Sequence, residues 1–237
     1  MLGTRRDGAV SVLELQREDR RNALDLALCR AIGEAAAAEV DAGARVLVLT
    51  GQGSAFCAGA DLDGVYGGEF LEALYGMLHG LTRLPVPVVA AVNGPAIGAG
   101  TQLVLACDLR VAAPTARFAV PTARNGMAVD AWTIRTLAAT VGAGVANRVM
   151  LGAETLDHDA ALAAGLVDRT GHLDDAVAWA HEVAALAPLA LAHNKLVLRD
   201  GDDAAVAATF DACWASDDVR EALAARAERR TPVFRGH

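Results

Sequence analysis

Strand-like and helix-like patterns of apolar residues alternate along the first half of the chain. Residues 9–15 alternate between apolar and polar, and residues 45–50 and 88–92 are nearly continuous apolar runs, as in buried parallel strands. Between these two runs, apolar residues recur at helical spacing over residues 69–84, and Pro85 ends the pattern. A short helix over 101–106 and a strand over 109–112 are predicted next. This order of strands and helices predicts an α/β core.

The second half of the chain is predicted to be almost entirely helical from residue 131 onward. Apolar periodicity, interrupted by Gly, Pro and polar residues, gives candidate helices at 129–151, 156–164, 174–186, 189–198, 204–215 and 218–229. An earlier helix is predicted from Asp25, a residue type that caps helix N-termini, to about residue 40. The helices beyond residue 186 are short and rich in alanine, so we expect them to pack on a neighbouring chain.

The composition favours one domain with a sizeable core, since the chain has 237 residues of which 54% are hydrophobic. No apolar run approaches the roughly 20 residues that cross a bilayer, and residues 1–11 lack a signal-peptide segment. The four cysteines are scattered without the close spacing of a metal or redox motif. We therefore expect a cytoplasmic protein with reduced thiols, no metal and no membrane insertion. The net charge of −8 argues against nucleic acid as a partner.

Two glycine-rich turns carry the strongest signal in the chain. Residues 55–62 (AFCAGADL) and 93–100 (NGPAIGAG) each follow an apolar strand and each precede helix-forming residues. A turn without bulky side chains exposes backbone N–H groups at the start of a helix, and two such turns side by side can direct two donors at one oxyanion. The pair would suit a thioester carbonyl.

The turns belong to an ordered set of motifs that resembles the enoyl-CoA hydratase/isomerase, or crotonase, superfamily over nearly the whole chain. The motifs are RRNAL at 20–24, FCAGADL at 56–62, PVVAAVNG at 87–94 with GAG at 98–100, ACDLR at 106–110 and ERRTPVF at 228–234. The resemblance implies a ββα-spiral core over residues 1–185 and a helical oligomerisation region over 186–237. It also implies a homotrimer or a hexamer of two trimers, a role in fatty-acid metabolism, and a coenzyme A thioester as ligand without a further cofactor.

The same resemblance assigns ligand contacts by position. The two oxyanion-hole amides fall on Ala60 and Ala99, and an alanine can serve at the second position if its φ is negative. The basic turn around Arg17 falls where the family holds the adenine and ribose-phosphate end of CoA, although a solvated charged turn would look the same. Asp61 alternatively caps the following helix. The CoA-binding positions implied are Arg20, Arg21, Ala23, Ala58, Asp61 and Leu62.

The chain departs from the family at the two positions where hydratases carry catalytic glutamates. These positions are Gln102 and Thr122, and neither side chain is a carboxylate. Glutamine accepts no proton near neutral pH, and a threonine hydroxyl is a poor base without a partner. We therefore expect hydration to be severely impaired and simple double-bond isomerisation to be doubtful as well.

Asp130 is the remaining candidate for acid–base or nucleophilic chemistry. It aligns with a working aspartate of dienoyl-CoA isomerase-like and 4-chlorobenzoyl-CoA dehalogenase-like members, whose partner groups are absent here at Thr122 and Tyr75. Asp130 equally suits the N-cap of the next helix. Trp132 either walls an acyl tunnel or packs in the core, and His79 lies on a helix spaced for burial.

These features lead to an acyl-CoA binder with little or no hydratase activity. The alternative is an active crotonase-type isomerase or lyase that uses Asp130. A purely structural role fits least well, because both glycine turns are intact.

Overall fold

The computed structural model describes residues 1–61, 68–199 and 201–237. Its strands are β1 (Leu2–Asp7), β2 (Val10–Leu15), β3 (Val46–Gly51), β4 (Val88–Val92), β5 (Ala96–Ile97), β6 (Leu109–Ala112), β7 (Arg117–Ala119), β8 (Leu156–Asp157) and β9 (Arg169–Thr170). The main sheet has the order β1-β2-β3-β4-β6-β9, and a smaller sheet has the order β5-β7-β8. Strand β1 is antiparallel to β2, whereas the pairs from β2 to β9 in the main sheet are parallel.

The helices surround these sheets and carry the second half of the chain. They are α1 (Leu26–Asp41), α2 (Gly68–Arg83), α3 (Ala99–Ala106), α4 (Ala131–Met150), α5 (His158–Ala163), α6 (Leu173–Ala184), α7 (Pro188–Leu198), α8 (Asp203–Ala215) and α9 (Asp217–Glu228). The 3-10 helices Glu18–Arg20 and Pro121–Asn125 lie in connecting segments.

Alternating residues of the central strands supply two separate cores. Leu47 and Leu49 point to the side that α1, α2 and α3 cover, whereas Val46 and Val48 point to the side that α6 covers. Every residue of β3 and β4 is buried, which explains why both strands are nearly continuous apolar runs.

Most predicted elements are confirmed, with boundaries shifted by a few residues. Asp25 caps α1 as expected, since its side chain accepts a hydrogen bond from the Leu28 N–H at 2.7 Å. The prediction of an almost wholly helical second half is wrong in detail, because β8 and β9 lie within it. The sequence interpretation also missed β1, β5 and β7. The missed strands β5, β8 and β9 have only two residues each, and periodicity cannot reveal so short a strand.

The last three helices contribute little to the buried core of this chain. No residue of α8 is buried, and α9 buries only Asp218 and Ala225. Within the described ranges, no single helix is long and apolar enough to cross a bilayer. The pair α6 and α7, which meet at 109°, passes such a test by length and composition only.

Candidate functional site

The two glycine-rich turns lie against each other. The backbone N–H groups of Phe56 and Cys57 reach the carbonyl oxygen of Pro95 at 3.1 and 3.2 Å, and the Ile97 N–H donates to the Cys57 carbonyl at 2.9 Å. A Cβ atom at Gly100 would lie 2.2 Å from the Cys57 carbonyl oxygen, so glycine is required for this approach.

The amides of Ala60 and Ala99 are both available to a ligand. Leu24 pairs with the backbone on either side of Ala60, through the Gly59 carbonyl at 2.8 Å and the Asp61 N–H at 2.7 Å. Ala99 is the first residue of α3, where an amide has no acceptor within the helix. Within the described residues, neither Ala60 N–H nor Ala99 N–H makes a hydrogen bond. Ala99 is helical, so its φ is negative as the oxyanion-hole assignment requires.

A cavity of about 150 Å³ opens at these two amides. Gln102 and Thr122 line it together with Ala58, Ala60 and Ala99. Apolar residues of α2 and the segment from Pro121 to Val129 form the other walls. Among the described residues, no carboxylate and no imidazole lines this cavity. The structure therefore brings Ala60, Ala99, Gln102 and Thr122, four positions that the resemblance singled out, to one cavity.

Asp130 lies directly after the cavity wall and is the N-cap of α4. Its Oδ1 atom accepts from the Thr133 N–H at 3.1 Å and from the Thr133 hydroxyl at 2.5 Å. The Thr133 hydroxyl oxygen in turn accepts from Gln102 Nε2 at 2.8 Å. The capping alternative for Asp130 is thus what the geometry shows, and Thr133 links the cap to the cavity. Thr133 was not identified from the sequence. Its place three residues after a possible N-cap could have indicated that its backbone N–H donates to the Asp130 side chain.

His79 lies close both to the second carboxylate oxygen of Asp130 and to the Trp132 ring. His79 Nε2 lies 3.6 Å from Asp130 Oδ2, and the His79 and Trp132 rings meet edge to face with centroids 5.2 Å apart. The Asp130 N–H donates to the Tyr75 hydroxyl at 3.2 Å, and Tyr75 itself lines the cavity. Within the described part of the chain, neither Asp130 nor Trp132 is among the cavity-lining residues.

Some groups of the basic turn at residues 17–21 bind other residues of the protein. Arg17 forms an ion pair with Asp61 at 3.0 Å and also contacts Asp25 at 3.2 Å, and its guanidinium donates to the Ala23 carbonyl. The Ala58 N–H donates to the Arg21 carbonyl at 2.9 Å, which ties the turn to the cavity wall.

The positions at which the resemblance predicts CoA binding differ in their exposure. Arg20 and Arg21 are exposed, and Ala23 is half-buried. The Asp61 carboxylate binds Arg17 at 3.0 Å. Whether Asp61 also caps a following helix depends on residues 62–67, which lie outside the described residues. Leu62 lies outside the described residues. No group of His, Cys, Asp or Glu within the described ranges is arranged to hold a metal ion.

The comparisons with known proteins agree on one family. The family model for enoyl-CoA hydratase/isomerase matches residues 5–237. The "Probable enoyl-CoA hydratase echA6" of Mycobacterium tuberculosis is 47% identical over 244 residues, covering 100% of both chains. The 2,3-dehydroadipyl-CoA hydratase of Escherichia coli is 35% identical, covering 98% of this chain and 97% of that protein.

Solved structures show the same similarity in three dimensions. An enoyl-CoA hydratase/carnithine racemase from Magnetospirillum magneticum has a TM-score of 0.89 at 29% identity, covering 100% of this chain and 96% of that one. An enoyl-CoA hydratase from Mycobacterium smegmatis has a TM-score of 0.87 at 31% identity, covering 98% of both chains. The chain therefore belongs to the enoyl-CoA hydratase/isomerase family and has the crotonase fold.

Proposed function

We propose that this protein binds acyl-CoA thioesters and has little or no hydratase activity. The observation that carries the proposal is the composition of one cavity. Two unpaired backbone amides, at Ala60 and Ala99, open into the same space as the neutral side chains of Gln102 and Thr122. The two amides would hold the thioester oxygen, as paired N–H donors do in an oxyanion hole.

The weak turnover follows from the missing acid–base groups. Each positioned acid or base typically contributes about 10²–10⁴ to a rate, and the described cavity wall holds no carboxylate or imidazole for this purpose. A glutamine amide hydrogen-bonds a ligand but does not exchange a proton with it near neutral pH. In this proposal the cavity keeps the groups that bind the ligand and lacks the groups that would transfer a proton.

The CoA moiety is proposed to lie along the basic turn. Ala58 lines the cavity, and its N–H donates to the carbonyl of Arg21. The basic turn therefore lies next to the cavity. The exposed guanidinium groups of Arg20 and Arg21 suit phosphate groups. We propose Arg20, Arg21, Ala23, Ala58, Asp61 and Leu62 as the CoA-binding positions.

One observation supports a second candidate, an active enzyme that uses Asp130. The carboxylate lies 3.6 Å from His79, and a carboxylate with a neighbouring imidazole is a common acid–base pair. In this alternative the ligand would have to reach the Asp130 side chain, which is not among the described residues that line the cavity. Replacing Asp130 by Asn retains a side-chain oxygen for the cap and should abolish any turnover of this kind.

The test measures binding and turnover on the same preparation. Calorimetry with acyl-CoAs of several chain lengths should show binding, while crotonyl-CoA and longer enoyl-CoAs should show almost no loss of absorbance. The matched control is the double variant Gln102→Glu, Thr122→Glu, which should gain hydratase activity. Turnover by the unmodified chain within about tenfold of a two-glutamate homologue would contradict the proposal. Turnover that is lost in Asp130→Asn would establish the second candidate instead.

We further propose how the molecule is organised. Residues 1–185 would form the spiral core, and residues 186–237 would form an oligomerisation region of a homotrimer or of a hexamer made of two trimers. The poor burial of α8 and α9 supports this division. A cytoplasmic role in lipid metabolism fits the proposed ligand.

A further inference from the structure

We propose that a second cavity, distinct from the one at Ala60 and Ala99, binds a small organic anion in which a carboxylate is attached to a short apolar chain. The second cavity has a volume of about 420 Å³ and lies between α7, the end of α6 and the start of β6. It opens at the amino-terminal ends of β4 and β6, whereas the first cavity lies at turns that follow β3 and β4. The proposal is therefore independent of acyl-CoA binding.

Three cationic side chains form one cluster in the wall of the second cavity. Lys195 Nζ lies 2.7 Å from Asp108 Oδ2, and Arg199 Nη2 lies 3.0 Å from Asp108 Oδ1. Arg110 and Arg199 both donate to the carbonyl oxygen of Cys107, at 3.0 and 3.1 Å. The two guanidinium groups are thereby held side by side, although they carry the same charge.

The cluster carries one more positive charge than negative charge. Apart from Asp108, the only carboxylate within 4 Å of these cations among the described residues is that of Asp168, whose Oδ2 lies 3.7 Å from Arg110 Nη2. Three cations thus face two carboxylates, in a chain whose net charge is −8. An anion with a single charge would balance the cluster.

Both guanidinium groups also retain donors that the protein does not use. Arg110 Nε is buried and has no hydrogen-bond partner in the described part of the chain. Arg199 donates only through Nη2, so its Nε and Nη1 have no acceptor within the described ranges. A buried donor without an acceptor costs free energy. A carboxylate suits such a place, because guanidinium groups bind carboxylates through paired hydrogen bonds.

The rest of the wall is mainly apolar. It includes Leu105 of α3, Leu109 of β6, Leu191 of α7 and Leu186, and the last of these is 50% exposed. A hydrocarbon chain packed against these side chains would remove apolar surface from water. The volume lies within the range of about 300–1,000 Å³ that is usual for small-molecule sites. Charge at one group of residues and apolar surface beside it therefore favour an amphiphilic carboxylate over a bare inorganic anion.

The first experiment separates the contributions of charge and chain. Calorimetry at pH 7 measures the binding of octanoate, of octan-1-ol, which lacks the charge, and of acetate, which lacks the chain. We expect octanoate to bind at least about tenfold more tightly than either of the other two. Equal binding of octanoate and octan-1-ol would contradict the role of the cations.

A set of variants then locates the bound octanoate. Arg199→Met removes open donors and one positive charge, and it should weaken octanoate binding about tenfold. Arg220→Met is the matched control, because it removes the same charge from an exposed side chain of α9 outside the second cavity. Its affinity for octanoate should remain that of the unmodified protein. Leu191→Trp fills part of the cavity and should weaken binding without a change in charge. Chemical denaturation verifies that each variant is folded.

The other outcomes would overturn the proposal. Octanoate that binds equally well to Arg199→Met and Leu191→Trp would occupy a different place, such as the first cavity. Absence of octanoate binding at millimolar concentration would show that the second cavity takes no such ligand. If Leu191→Trp lowers the oligomer mass in sedimentation and octanoate does not bind, a neighbouring copy of the chain fills the cavity instead. Acyl-CoA binding is measured separately, so either proposal can fail without the other.

Discussion

At the scale of single residues, the site depends on backbone approaches that only glycine permits. A Cβ atom at Gly100 would lie 2.2 Å from the carbonyl oxygen of Cys57, a backbone atom that cannot easily move away. We expect Gly100→Ala to push the two turns apart and to lower the free energy of unfolding by about 3 kcal/mol. Acyl-CoA affinity should fall as well, since the Ala60 and Ala99 amides would no longer converge.

Gly80→Ala in α2 is the matched control for this prediction. Beyond the backbone of its own helix, a Cβ atom at Gly80 would point into open space, and alanine favours a helix over glycine by up to about 1 kcal/mol. Guanidinium unfolding and calorimetry of both variants provide the comparison. Equal stability and equal affinity in Gly100→Ala would show that the turns can separate without loss.

The buried cysteines should be chemically inert in the folded protein. Burial raises the pKa of the Cys57 thiol and of the Cys107 thiol to about 12 each, so the reactive thiolate is scarce at pH 8. Cys213 is partly exposed and should react first with a disulfide reagent. Thiol titration with and without denaturant should therefore show one fast group in the native protein and four after unfolding. Rapid native modification of Cys57 or Cys107 would contradict this expectation.

At the scale of elements, a buried ion pair joins Lys195 of α7 to Asp108, the residue before β6 of the main sheet. Lys195 Nζ lies 2.7 Å from Asp108 Oδ2 and donates to the carbonyls of Leu81 and Val86. Asp108 also pairs with Arg199 at 3.0 Å and accepts from the Val88 N–H. These charged groups are paired with one another and border the second cavity of about 420 Å³.

Removing Lys195 should cost much more stability than removing Arg199. Burial lowers the pKa of Lys195, and the nearby Asp108 opposes this shift by favouring the charged form. Lys195→Met leaves two buried carbonyls and one carboxylate oxygen without this donor, and we expect a loss of about 3 kcal/mol. Arg199→Met, at a more exposed side chain, should lose about 1 kcal/mol or less. Chemical denaturation of both variants measures the two losses in the free energy of unfolding. A larger loss for Arg199→Met than for Lys195→Met would contradict the prediction.

Local signals explain how much of these elements the sequence could predict. The caps at Asp25 and Asp130 and the two glycine turns depend on residues close in sequence, and each could be recognised there. The sheet β5-β7-β8 could not, because its short strands pair across segments separated by 20 residues or more in the chain. The contacts of Thr133 with Gln102 and of Arg17 with Asp61 are equally non-local. They arise only when the fold brings separate segments together.

At the scale of the whole molecule, the C-terminal helices leave large apolar side chains uncovered. Phe210, Trp214 and Leu223 are 51%, 67% and 66% exposed, and the Phe210 and Trp214 rings lie 6.3 Å apart on one face of α8. Clustered exposed aromatic residues are typical of protein interfaces. The proposed oligomer would bury them against neighbouring copies of the chain.

Trp214→Glu should therefore weaken assembly without unfolding the chain. A charge at the centre of an apolar interface is costly to bury, whereas in a single chain the residue is already largely exposed to water. Sedimentation should give three or six times the mass of one chain for the unmodified protein and a smaller species for the variant. Leu151→Glu, at an 80% exposed residue following α4, is the control and should assemble normally. A single-chain mass for the unmodified protein at micromolar concentration would refute the oligomer, and unchanged assembly of Trp214→Glu would place the interface elsewhere.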